Sequence, residues 1–367
     1  MQRARRSIYP EPPQSLQELS EILRPQNRII TMTKDGRDNF YAASVNAADG
    51  SHCVIFASRR MINFAARNMD YFFGDGTFQV LPAIPDLTRA SQVYTVVGNW
   101  NHHIIPIATV IMTRRTESAY DAVLQALHAL LNGAPNVRKI VTDFEPAAQN
   151  AWEDNFPNAE LQGCFFHVVR AFIRYAKEQL HMTVHLRRDG PVRSLVRLCC
   201  DIPLLPRRYF RRGFLIIMNE ARNEGRRIYG ILRPFFDYIL INWINNEHKN
   251  RLMSVYGSRY RTNNTCKSHH RQLKKYMVVP HPNIYDFIGG IASIEDAAWI
   301  DANALENGEV VGRRRKAASI ANDRRLRRLA NDLRQAGPQL RDAAILRYLR
   351  AAAYTFANAY DRAVEEA

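Results

Sequence analysis

What this chain lacks narrows it first. None of its 367 residues fall in a run of the about 18 apolar residues that span a bilayer. Gly213-Phe214-Leu215-Ile216-Ile217-Met218 is among the longest apolar stretches and falls far short. The basic opening Met1-Gln2-Arg3-Ala4-Arg5-Arg6 leads to Pro10, Pro12 and Pro13, where a secretory signal would carry an apolar core. The cysteines, Cys53, Cys164, Cys199, Cys200 and Cys266, are odd in number and scattered, which argues against a disulfide framework. The expectation is a soluble intracellular protein with reduced thiols. Internal repeats and low-complexity tracts are lacking too. Acidic residues are in deficit, 35 against 51 Lys and Arg, for a formal net charge of +16. That excess points to a polyanionic partner such as nucleic acid, though a basic surface also serves as ordinary solvation.

What is present suffices for a sizeable core, with 46% hydrophobic and 10% aromatic residues. The length allows one large domain or two to three ordinary ones. Residues 1–70 read as a lead-in of mixed structure, with a capping-box pattern at Ser15-Leu16-Gln17-Glu18 and a second helix capped by Ser58. From residue 71 the pattern turns to strands. The apolar runs 72–81, 91–100 and 104–113 are joined by links too short for helical crossovers, so they predict an antiparallel meander. Thr116 or Ser118 then caps a helix with Tyr120, Val123, Leu124, Leu127 and Leu130 at helical spacing. A short strand follows at 137–142, a helix from Pro146 to Trp152, and a fifth strand at 161–166.

Two aspartates stand at the ends of these runs. Asp75 lies between glycines in Phe73-Gly74-Asp75-Gly76-Thr77-Phe78, and Asp143 closes Ile140-Val141-Thr142-Asp143-Phe144-Glu145. Asp-Gly often merely begins a turn. Two carboxylates at strand ends in an α/β pattern are also what a divalent-metal phosphoryl-transfer site requires, since hard cations want charged oxygens on rigid backbone. Three strands, helix, strand, helix, strand is the order of a ribonuclease-H-like core. The predicted class is therefore α/β, a mixed five-stranded sheet of that kind. An all-helical insertion interrupts it and a helical, basic C-terminal region follows. The expected divisions are 1–70 (lead-in), 71–167 (first part of the core), 168–255 (insertion), 256–294 (closing helix and following segment) and 295–367 (tail).

With these pieces in order, the chain resembles the Mutator-like element (MULE) transposases. Four words carry the likeness: Phe73 to Phe78; Val141-Thr142-Asp143-Phe144-Glu145-Pro146-Ala147; Gly163-Cys164-Phe165-Phe166-His167; and Arg261-Thr262-Asn263-Asn264 with His270 beyond it. It spans about residues 55 to 291. The resemblance implies a DDE-type recombinase in which two aspartates and a glutamate hold two Mg²⁺ or Mn²⁺ ions for DNA cleavage and strand transfer. Asp75 and Asp143 match the family aspartates. Lys267 stands where the family glutamate belongs, which replaces an anionic ligand by a cation and predicts impaired activity. Glu145 and, more remotely, Glu247 are the candidate substitutes for the missing carboxylate, with a helix cap as the other reading of Glu145. The alternative to an active transposase is a non-enzymatic DNA-binding or regulatory protein domesticated from one.

Further expectations complete the reading. Cys164 with His167, and Cys266 with His270, have spacings that suit two halves of a tetrahedral zinc site, or else are a buried thiol and a hydrogen-bonded imidazole of the core. DNA contact is expected from Arg207, Arg208, Arg211 and Arg212 of the insertion and from Arg313, Arg314, Arg315 and Lys316 of the tail, because the zinc-binding recognition module common in the family is not evident in 1–70. The implied partners are transposon ends, target DNA and a further copy of the chain, with no membrane. The implied location is the nucleus.

Overall fold

The computed structural model of the chain describes residues 9–24, 28–101, 103–134, 136–277, 279–309, 311 and 317–366. The chain divides into two compact units, Met1–Leu161 with Asn263–Gly312, and Gln162–Thr262 with Arg313–Ala367. No helix among the described residues is long and apolar enough to cross a membrane.

The first unit is built on one mixed sheet. Its strands are β1 (Tyr41–Asn46), β2 (His52–Phe56), β3 (Tyr71–Thr77), β4 (Gln92–Trp100), β5 (His103–Met112), β6 (Lys139–Thr142) and β7 (Glu160–Gly163), in the order β1-β2-β5-β4-β3-β6-β7. The expected meander is present, with β3, β4 and β5 antiparallel. Where Pro106 lies opposite Val97, the β4–β5 register shifts by one residue. Proline has no N–H to donate to the ladder, so the strand bulges there. After β5 the chain crosses through the Glu117–Leu130 helix, capped by Thr116, and returns as β6 parallel to β3.

Three expectations need correction. The sheet has seven strands rather than five, because β2 pairs with β5 and β1 pairs with β2. The sequence Tyr-Ala-Ala-Ser-Val-Asn of β1 is half-exposed and carries no clean apolar alternation, so nothing local marks it as a strand. The run expected over 72–81 leaves the sheet after Thr77, where Pro82 and Pro85 lie ahead. The fifth strand ends at Gly163 instead of continuing to 166. Phe165, Val168, Val169, Phe172, Ile173 and Ala176 are buried at helical spacing and make 165–178 a helix.

Alternate residues of β4 face two different helix layers. Val93 joins Val54, Phe56 and Ile111 in a core closed by Leu273, Phe287 and Ile291 from the Asn264–Tyr276 and Ile284–Glu306 helices. Tyr94 faces the other way. It accepts a hydrogen bond from Trp152 Nε1 at 2.8 Å on the Pro146–Asn155 helix, and its ring meets Tyr120 edge-on at 5.1 Å. Both faces of the central strands are thus covered, which accounts for their near-continuous apolar runs.

The second unit is helical through most of its described residues. The Phe165–Glu178, Pro191–Cys200, Phe210–Asn223 and Arg226–Ile239 helices enclose Phe172, Phe214, Phe235 and Trp243. Arg341–Thr355 packs on Phe210–Asn223, and Ala357–Glu366 packs on Phe165–Glu178. The C-terminal helices therefore share a core with the segment before residue 262.

Candidate active site

The Gly-Asp-Gly word has a steric basis. A Cβ on Gly74 would run into the Tyr94 hydroxyl and Trp152 Nε1, and one on Gly76 into the Gln92 amide. The layer under β3 at these two positions is already filled, so the strand passes only if both lack side chains. Asp75, between them, points to the opposite face by the period of two. It is buried, with 8% of its surface exposed.

Asp143 reaches the same place from β6. The parallel register pairs Phe72 with Ile140 and Phe73 with Val141, and each aspartate follows the last paired residue of its strand by two positions. Burial raises the proton affinity of Asp75 first, the Asp143 carboxylate raises it further, and the Lys267 ammonium opposes both. Asp143 is likewise shifted upward by burial, with the Glu145 amide and carboxylate pulling in opposite directions. Both carboxylates are thus poorly solvated, and the Asp143 charge disfavours that of Asp75.

The Asn264–Tyr276 helix supplies the remaining groups. His270 Nδ1 lies 3.7 Å from Asp75 Oδ2, and its Nε2 is 2.9 Å from Thr95 Oγ1. Thr95 is the β4 residue opposite Asp75. Burial, with Lys274 and Lys267 nearby, lowers the His270 pKa to about 4, so the imidazole is neutral near pH 7. Glu145 occupies the N-cap position of the Pro146–Asn155 helix, yet its side chain makes no cap hydrogen bond. It accepts instead from the Tyr120 hydroxyl at 2.9 Å, while Gln92 Nε2 donates to the same hydroxyl at 2.6 Å. Sequence reasoning missed Thr95 and the Tyr120 tether. A polar Thr95 within the apolar run 93–97 was the available signal for the first.

Of the other expected residues, His270 is the one that meets the aspartates. Cys164 and His167 belong to the helical unit and Cys266 and His270 to the sheet unit. Cys164 is the N-cap residue of Phe165–Glu178, and Cys164 and Cys266 are both buried. Among the described residues no group of three or more His, Cys, Asp or Glu side chains is gathered as a metal site. Glu247 opens a short helix of the helical unit. Arg207, Arg208, Arg211 and Arg212 cluster on one exposed turn of that unit. Arg207 donates to Asn250 at 2.8 Å, Arg208 lies over the Tyr209 ring, Arg211 donates to Asn245 at 3.1 Å and Arg212 pairs with Asp342 at 2.5 Å. Arg313, Arg314, Arg315 and Lys316 lie outside the described residues.

An α/β sheet carrying a strand-end carboxylate pair is the class that fold and site define. Residues 75–171 match the model of the MULE transposase domain. This match begins at Asp75, includes Asp143 and supports a transposase-type function; Lys267 lies beyond it. No curated protein matches the chain. Among solved structures, the Drosophila P element transposase strand transfer complex is similar at 12% identity, over 80% of this chain and 80% of that chain, with a TM-score of 0.26. A likeness of that size carries no argument.

Proposed function

We propose that this chain is a DDE-type DNA transposase, or a descendant of one, built on a ribonuclease-H-like sheet and impaired at its third carboxylate position. The observation that carries the proposal is the pair of buried Asp75 in β3 and half-buried Asp143 just after the parallel strand β6. Two crowded carboxylates with raised proton affinity suit a hard divalent cation. The residues fit one such ion and not the family's two-metal arrangement, because protonated Lys267 offers no lone pair where a third carboxylate is needed. Asp75 and Asp143 would hold Mg²⁺ or Mn²⁺, which when bound would supply positive charge beside a scissile phosphate. His270 would steady the Asp75 carboxylate through its hold on Thr95. The exposed arginines at 207, 208, 211 and 212 would contact DNA phosphates without reading sequence. A nuclear location and self-association accord with that substrate.

Lys267 favours a second reading, a DNA-binding regulator that no longer cuts. A strand-nicking assay on supercoiled and linear DNA in Mn²⁺ and in Mg²⁺ separates the two. Weak nicking that rises in the Lys267→Glu variant supports an impaired transposase. Equal, rapid cleavage by both proteins would overturn the impairment. No cleavage by either, with DNA binding intact, would favour the regulator.

A further inference from the structure

Phe78 ends the first family word, and the site above makes no use of it. It lies three residues past Asp75, where β3 has left the sheet, and is 45% exposed. The Arg115 guanidinium sits 4.8 Å from its ring centroid, and Arg115 Nη2 also donates to the Arg89 carbonyl at 3.5 Å. Phe78, Leu81, Ile84, Leu87, Arg89 and His281 line a groove of about 600 Å³. A second cavity of about 560 Å³ shares His281 and adds Gln79, Lys274 and Val279. The walls are fastened to each other. His281 Nδ1 is 3.1 Å from the Leu81 carbonyl, and the Ala83 amide donates to Pro282 at 2.9 Å.

Both walls grow from elements that also carry the candidate site. The 78–91 loop continues β3, and residues 279–283 come shortly after the Asn264–Tyr276 helix. On that helix Lys267, His270 and Lys274 stand at i, i+3 and i+7, which places them on one face. Lys274 and Lys267 both act electrostatically on His270. A line of basic nitrogens therefore leads from the carboxylates to the second cavity, which meets the groove at His281. The acid of the loop, Asp86, is engaged by the Leu16 amide at 2.9 Å.

We propose that this groove holds a single-stranded segment of DNA, with one unpaired base stacked on Phe78 and the neighbouring phosphates met by Arg115, Arg89 and Lys274. The proposal rests on the polynucleotide reading of the site and extends it to an unpaired strand. A base still stacked in a duplex has no free face to offer an aromatic ring, whereas an unpaired base does. The apolar floor and cationic rim match a base and its phosphates.

The test uses the full-length protein in EDTA, with fluorescein-labelled oligothymidylate and a duplex of equal length, read by fluorescence anisotropy. Phe78→Ala should weaken single-strand binding roughly tenfold or more and change duplex binding by less than about twofold. Phe78→Trp should retain single-strand binding, and unchanged melting temperatures exclude misfolding. Irradiating an oligonucleotide that carries 5-iodouracil should cross-link it at Phe78. If Phe78→Ala binds the single strand as wild type does, or the cross-link maps elsewhere, the groove serves a protein surface and the proposal falls while the transposase reading stands. If wild type binds neither DNA form, both fall together.

Discussion

Two buried carboxylate centres of the sheet unit are neutralised in opposite ways. Glu295 takes two hydrogen bonds from Arg60, at 3.0 and 2.7 Å, and a third from Ser58 at 2.5 Å. Arg60 also reaches Asp35 and Asp296, and Ser58 caps the helix that carries Arg60. Each charge there has a partner in the fold. Asp75 and Asp143 instead both hold their protons more tightly through burial, and Asp75 more so because of the Asp143 carboxylate. The cation acting on Asp75 is Lys267, on a flexible stem. A buried acid matched within the fold is architecture. The crowded pair is neutralised by a proton instead, and it is where the proposed cation would act.

Substitutions break this comparison most directly. Glu295→Ala should destabilise the protein by about 3 kcal/mol or more, since it leaves a mostly buried guanidinium short of its main partner. Asp75→Asn should be neutral or stabilising in EDTA near pH 7, because it removes an acid that must take up a proton to stay buried. Urea unfolding of both variants measures the difference, and equal losses would abolish the distinction. Next in size, Lys267→Glu should tighten Mn²⁺ binding by roughly ten- to a hundredfold in titration calorimetry, through exchange of a repelling charge for a ligand. An unchanged affinity would place Lys267 outside the site's reach.

A shallower effect lies in pH. The folded, metal-free chain keeps a proton on Asp75 that the unfolded chain has released, since burial and Asp143 raise its pKa from 3.8 to about 8. Stability should therefore decline as pH rises from about 4 to about 8, by less than about 1.4 kcal/mol per unit for this group. Asp75→Asn should flatten that decline in melting curves taken in EDTA. Smallest of all, Tyr120→Phe should cost about 1 kcal/mol through its lost hydrogen bonds. It would also release Glu145, and if metal affinity then rose, Glu145 would be a latent third carboxylate.

Much of the site was legible because its signals are local. Asp75 and Asp143 end apolar runs, and the order of those runs makes their strands neighbours. The glycines around Asp75 were visible as a word, but Tyr94 and Trp152, which require them, come from other elements. The contact of His270 with Asp75 joins residues far apart in the chain, and so does that of Arg60 with Glu295. No periodicity encodes such meetings, and His270 was read instead by its spacing from Cys266. In β1 the failure was of another kind: an edge strand half open to solvent needs no apolar alternation, so it left none to read.

The split of the sheet unit in the sequence sets a schedule for biosynthesis. Val54, Phe56 and Val93 are made early, but Phe287 and Ile291, which cover them, emerge only after the whole 162–262 segment has been translated. At ribosomal speeds of about 5–20 residues per second, Arg60 waits roughly 10 to 50 s for Glu295. During that interval an unfinished sheet with an apolar face stands at the ribosome exit, uncovered until the last helix of its own core arrives.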